Sequence, residues 1–106
     1  MDQPHGKRRM YRNRMEITAS ILEIAKEGSR KTRIMYQGNL SFDLAEKYLC
    51  MLVNLDLLRV VRIGLEKMYV VTEKGREFLT DFNELEKHAD VVEEKKRTLE
   101  RSLTSA

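Results

Sequence analysis

From Phe78 to Leu103, apolar residues recur in alternating steps of four and three: Phe78, Phe82, Leu85, Ala89, Val92, Leu99 and Leu103, with Lys96 as the polar member. A 4-3 repeat held over this length has one physical solution, a continuous α-helix with a narrow apolar stripe. At about 1.5 Å per residue the stripe is about 39 Å long. A globule of about 60 residues cannot cover that length, so the stripe calls for a second copy of the chain. Phe78, Leu79 and Phe82 lie closest to the rest of the chain and can pack on it, which leaves Leu85 onward for the partner.

The residues flanking the stripe bear on how two such helices pair. Glu86, Glu93 and Glu100 line one flank, and Asp81, His88, Lys95 and Ser102 line the other. An antiparallel pair sets the glutamate flanks against each other, whereas a parallel pair brings Lys95 near Glu100 of the other copy. Exposed pairs of this kind contribute little, so charge alone leaves both orientations open.

Upstream, the punctuation is that of a small mixed domain. Ile17, Ile21, Leu22, Ile24 and Ala25 mark one face of a helix from about Asn13 to Glu27, ended by Gly28. A second helix fits Lys31 to Gln37, closed by Gly38 and Asn39, both suited to the left-handed conformation past a helix end. Ser41 stands as the N-cap of a third helix that runs to about Asn54. Its buried side carries Leu44, Ala45, Tyr48, Leu49, Leu52 and Val53, and its other side Asp43, Glu46, Lys47 and Cys50. Two β-branched runs, Leu57–Ile63 and Met68–Thr72, separated by Gly64-Leu65-Glu66-Lys67, predict a hairpin with a four-residue loop. Thr72 then caps the final helix.

Three helices followed by a hairpin make a winged helix-turn-helix, so the fold class is mainly α with a small β-hairpin and a long C-terminal dimerisation helix. The expected organisation is a basic flexible arm over 1–12, a winged-helix DNA-binding domain over 13–75 and a coiled-coil helix over 76–103. Charge supports a polyanion as partner. Residues 1–76 hold 15 Lys/Arg against 9 Asp/Glu, while residues 77–106 hold 5 against 8. The basic front half meets the polyanion and the acidic tail does something else.

Several blocks resemble a small archaeal winged-helix family: Arg14-Met15-Glu16-Ile17, Lys31-Thr32-Arg33-Ile34-Met35-Tyr36, Asn39-Leu40-Ser41-Phe42, and Thr72-Glu73-Lys74-Gly75-Arg76. That family includes the ten-kilodalton chromatin proteins of hyperthermophilic archaea and predicted transcriptional regulators, and the resemblance covers about residues 12–85. It implies a DNA-binding homodimer joined by an antiparallel coiled coil of the last helices. One departure stands out. Asp43 and Glu46 occupy third-helix positions where the family usually carries basic or amide side chains. Acids there repel phosphate, although they can accept a hydrogen bond from cytosine N4, and this tilts the reading from packaging toward selective regulation.

The candidate DNA contacts follow from these placements. Arg30, Lys31 and Arg33 start the second helix, where a helix-turn-helix crosses the phosphate backbone. Ser41, Phe42, Asp43, Glu46 and Lys47 are placed for the major groove. Arg62 and Lys67 flank the hairpin tip, and Arg8, Arg9 and Arg12 reach an adjacent groove from the arm. The candidate dimerisation residues are Phe82, Leu85, Ala89, Val92, Lys96, Leu99 and Leu103. Tyr36 and Tyr48 are expected in the core, and the methionines as core filler.

No catalytic constellation accompanies them. His5 and His88 lack ligand partners at metal-binding spacing, no glycine-rich phosphate loop is present, and Cys50 reads as a structural residue among apolar neighbours. An enzyme, a cofactor and a metal are therefore not expected. The longest apolar run falls far short of a membrane span, the N-terminus lacks an apolar signal segment, and the lone cysteine suits a reducing cytoplasm, with a nucleoid association. Three functions fit the pattern: a homodimeric transcriptional regulator on double-stranded DNA, a sequence-tolerant chromatin protein, or a protein-interaction module without DNA binding.

Overall fold

The computed structural model describes residues 12–104, ordered α1 (Arg14–Ile24), α2 (Lys31–Gly38), α3 (Phe42–Asn54), β1 (Leu58–Ile63), β2 (Glu66–Val71) and α4 (Glu73–Thr104). α1 begins with a reciprocal capping box. The Asn13 side chain accepts from the Glu16 amide at 2.8 Å, and the Glu16 carboxylate accepts from the Asn13 amide at 3.0 Å. The helix stops at Ile24, three residues before the expected end. The Ala25 carbonyl accepts instead from the Gly28 amide at 3.0 Å and the Val71 amide at 3.2 Å, so the hairpin takes up its bonding capacity. Gly28 sits at φ +93°, where a side chain would be strained.

α2 closes as its sequence suggests, with Asn39 in the left-handed region and the Leu40 amide donating to the Met35 carbonyl at 2.9 Å. α3 follows at once, its Ser41 hydroxyl accepting from the Leu44 amide at 3.1 Å. β1 and β2 pair antiparallel from Leu58 opposite Val71 to Ile63 opposite Glu66. The loop is therefore Gly64-Leu65 alone, not four residues. Gly64 at φ +64° reverses the chain immediately, as the first central position of a hairpin turn favours, and Glu66 and Lys67 join the ladder.

Ser29 extends this sheet on its other edge. Its amide donates to the Tyr69 carbonyl at 2.9 Å and its carbonyl accepts from the Tyr69 amide at 2.8 Å. The hairpin is thereby fixed beside the start of α2.

The junction into α4 explains the Thr72-Glu73-Lys74-Gly75 block. The Thr72 hydroxyl accepts from the Gly75 amide at 3.0 Å and donates to the Asp56 carbonyl at 2.6 Å, while Lys74 donates to the Leu55 carbonyl at 3.0 Å. A Cβ on Gly75 would lie 2.4 Å from the Leu57 carbonyl oxygen, so only glycine lets α4 approach the α3–β1 connection this closely.

The core gathers Ile21 and Leu22 of α1, Ile34 of α2, Leu52 of α3 and Leu58 of β1, all fully buried, with Ala45, Tyr48, Leu49, Tyr69, Val71 and Leu79 around them. Phe78 and Phe82 are half-buried against it. Tyr36 is not in the core: it is 87% exposed, because Ile34 takes the inward face of α2 and a residue two positions on points about 200° away. Met35 and Met51 pack partly against the core, while Met15 is exposed. From Asn83 to Thr104 every residue of α4 is exposed, about 33 Å of helix standing clear of its own chain. The molecule is accordingly elongated, 69 × 29 × 19 Å.

Candidate nucleic-acid interface

Three elements converge on one surface through a continuous set of contacts. Lys31, in the first turn of α2, pairs with Glu46 of α3 and holds its ammonium 3.8 Å from the centroid of the Phe42 ring. Arg30, just ahead of α2, pairs through Nε with Glu66 of β2 at 3.0 Å. The Lys31 ammonium, by its hydrogen bond and then its charge, holds the Glu46 carboxyl below its ordinary value of 4.5, and Lys67 of the hairpin adds to the effect. The start of α2, the outward face of α3 and the hairpin thus share one electrostatic neighbourhood.

The start of α2 is itself an electropositive feature. Arg30 occupies the N-cap without a side-chain hydrogen bond to the helix, and the first turn contains no acid. Its leading amides keep their positive partial charge, ringed by Arg30, Lys31 and Arg33. Arg33 is exposed on the same turn. On α3, Phe42, Asp43, Glu46, Lys47 and Cys50 face outward, while Ser41 has its oxygen engaged as the cap. Asp43 lies in the first turn, where the helix dipole favours a carboxylate. Cys50 is exposed, so it is not a packing residue: the opposite face of α3 supplies Tyr48, Leu49 and Leu52 to the core.

The hairpin adds two cations. Arg62 and Lys67 stand directly opposite each other in the ladder, and like charges at that spacing destabilise a two-stranded ribbon unless an anion lies between them. Arg12 donates from Nη2 to the Asn39 carbonyl at 3.2 Å, which ties the residues just ahead of α1 to the α2–α3 turn. Arg8 and Arg9 lie outside the described residues.

Sequence reasoning missed three parts of this surface. Tyr36 projects from α2 one turn after Arg33. The pairing of Lys31 with Glu46 joins residues fifteen apart in the chain. Leu65, at the hairpin tip, is 99% exposed beside Ile63 at 62%. The Ile34–Tyr36 spacing carries a signal for the first and the place of Leu65 in the hairpin loop one for the third, whereas the Lys31–Glu46 pairing has none short of the fold. Away from this surface, Leu85, Ala89, Val92, Lys96, Leu99 and Leu103 form the exposed stripe of α4, from 52% exposure at Leu85 to 78% at Leu103, whereas Phe82 is partly covered by its own domain.

Among the described residues, no group of three or more His, Cys, Asp or Glu is arranged to hold a metal ion, and no helix is long and apolar enough to cross a membrane.

The geometry agrees with the chain's relatives. An uncharacterized protein of Methanocaldococcus jannaschii is 33% identical over 79 residues, 74% of this chain and 77% of that one. The crystal structure of Sso10a-2, a DNA-binding protein from Sulfolobus solfataricus, matches with a TM-score of 0.75 at 29% identity, over 85% of this chain and 95% of that one. A protein of unknown function from Listeria innocua shares the fold at a TM-score of 0.55 and 14% identity, over 77% of this chain and 72% of that one. The winged helix-turn-helix family model matches residues 11–90, and with three helices, a hairpin wing and this pattern of likeness the chain belongs to the winged helix-turn-helix family.

Proposed function

We propose that the chain is a non-enzymatic, homodimeric protein that binds double-stranded DNA and regulates transcription in the cytoplasm, in association with the nucleoid. The observation that carries this reading is the convergence of the uncapped, cation-ringed start of α2, the outward face of α3 and the Arg62–Lys67 pair of the wing. α3 enters the major groove with Phe42, Asp43, Glu46 and Lys47 toward the bases. Arg30, Lys31 and Arg33 meet phosphates at the start of α2, Arg62 and Lys67 meet them from the wing, and Arg8, Arg9 and Arg12 from the arm. The exposed stripe from Leu85 to Leu103 supports pairing with a second copy, since a 4-3 apolar seam of this length buries its surface against a second such helix.

Two carboxylates on the reading face favour a regulator. Asp43 and Glu46 are neutral to no phosphate, and Glu46 occupies Lys31, so uniform attraction to any duplex is reduced. The surplus of cations in the front half supports the second reading, sequence-tolerant binding by a chromatin protein.

The test is fluorescence anisotropy of a labelled random duplex of about 30 base pairs at low and moderate salt, followed by selection from random sequence. Binding that weakens steeply with salt is expected. A selected site preferred by roughly a thousandfold or more identifies a regulator, and no preference identifies a packager. No binding at low salt overturns both and leaves a protein-interaction module.

A further inference from the structure

We propose that the tip of the wing is an apolar wedge: Leu65, backed by Ile63, inserts between base pairs from the minor groove and bends the duplex, while Arg62 and Lys67 hold the flanking phosphates. The proposal rests on the DNA-binding reading above and names what the wing does there.

The tip is built against its own solubility. Leu65 is 99% exposed and Ile63 62%, at the far end of a hairpin whose last buried residues are Leu58 on β1 and Tyr69 on β2. A single exposed apolar side chain needs no explanation. Two of them at a protruding turn, with Arg62 next to Ile63 on one strand and Lys67 two residues past Leu65 on the other, form a composite that suits a polyanion with an apolar interior. Arg62 facing Lys67 across the ladder costs stability in the free protein and is relieved by an anion between the two, as a backbone phosphate would be.

Dimensions support the same occupant. Leu65 lies four residue steps from Tyr69, so the hairpin projects about 13 Å beyond its last buried side chain on β2 at about 3.3 Å per residue. The minor groove is about 7.5 Å deep and about 6 Å wide. The projection exceeds that depth, so Leu65 at the tip can reach the stacked bases.

The tip is also rigid enough to push. Its loop has only two residues, with Gly64 at φ +64°. β2 is bonded on both edges near its base, to β1 on one side and to Ser29 on the other, and Glu66 is paired with Arg30.

The experiment uses the full chain and duplexes carrying 2-aminopurine at pyrimidine–purine steps, the steps that unstack most easily, with donor and acceptor dyes at the ends. Wild type is expected to bind, to raise 2-aminopurine fluorescence and to shorten the end-to-end distance by a bend in the range of about 20–90° typical of wedges. Leu65→Ser, and separately Ile63→Thr with Leu65→Ser, should bind within about tenfold of wild type, because lost burial is offset by the unstacking no longer required. The slope of log affinity against log salt should not change, whereas the fluorescence rise and the bend should be lost. Wild-type binding without unstacking or bending overturns the wedge and leaves DNA binding intact. So does a Leu65→Ser variant that bends DNA as wild type does. A Leu65→Ser variant that loses assembly mass in sedimentation, with the DNA signals unchanged, overturns the wedge in favour of a contact between copies. Failure of wild type to bind any duplex overturns the DNA-binding reading and the wedge with it.

Discussion

Ile21, Leu22, Ile34 and Leu52 are sealed by their own chain, whereas Leu85, Leu99 and Leu103, of the same chemistry, stand more than half exposed along α4. The two regions belong to one molecule and, at Phe82, to one helix, yet they meet the demand to bury apolar surface in different ways. In the body each apolar face finds its complement within about 80 residues of sequence, so its stability does not depend on concentration. Along α4 no complement lies within the described chain; in the proposed dimer a second copy supplies it, and the order of α4 is then linked to that copy by mass action. In the proposed dimer the core holds a reading surface and the seam brings two such surfaces together.

The comparison breaks most sharply if the seam is destroyed. Leu85→Asp with Leu99→Asp should give monomers in analytical ultracentrifugation while the body keeps its fold. DNA affinity should fall by about a hundredfold or more as the avidity of two linked sites is lost. A double variant that remains dimeric would place the interface elsewhere. The converse lesion is Leu52→Ala, which leaves a cavity in the fully buried core and should cost about 2–5 kcal/mol in chemical unfolding.

Gly75→Ala probes the joint between the two regions. The added methyl meets the Leu57 carbonyl and Val71 Cγ2 at about 2.5 Å, so α4 must shift off the body. A loss of about 1–3 kcal/mol is expected, read in the same unfolding experiment. Unchanged stability would show that the first turn of α4 moves freely.

Smaller effects sharpen the reading surface. Glu46→Gln frees Lys31 and removes a carboxylate from the proposed reading face; affinity for random duplex should rise severalfold and the salt slope steepen by about one. The smallest effect is on pH. Lys31 holds the Glu46 carboxyl below 4.5, so the pair's contribution to stability is present above that value and is lost only as pH falls through the lowered one. Because the pair is exposed, the thermodynamic effect is slight. Side-chain NMR should show the Glu46 titration returning upward in Lys31→Met.

The body's elements were legible because each is announced by local chemistry: Asn13 with Glu16, Asn39, Ser41 and Thr72 all perform the capping or turning roles their types suggest. The stripe of α4 was legible because a 4-3 repeat over this length has no competing explanation. Tyr36 was misplaced because α2 has barely two turns, too few to fix the phase of its inner face without noting that Ile34 excludes Tyr36 from it. The hairpin loop was drawn too long because Gly64 marks where a reversal starts and not how quickly it finishes. That error hid the opposition of Arg62 and Lys67, which exists only in the two-residue register. The contact of Lys31 with Glu46 depends on how α2 crosses α3, a tertiary fact with no trace in either segment.

α4 runs without a break from its cap at Thr72, locked against Leu57 by Gly75, to Thr104. In the proposed dimer this makes the protein a calliper with no hinge, whose two jaws are set by residue count alone. Each residue added between Phe82 and the seam turns one body by about 100° and moves it by about 1.5 Å. Seven added residues restore the facing to within about 20° while opening the jaws by about 10 Å per arm, close to three base pairs. Two or five leave the reading helix about 160° or 140° out of phase, turned away from the duplex its partner holds. The spacing of DNA sites such a dimer accepts is therefore written in the length of a segment that touches no DNA.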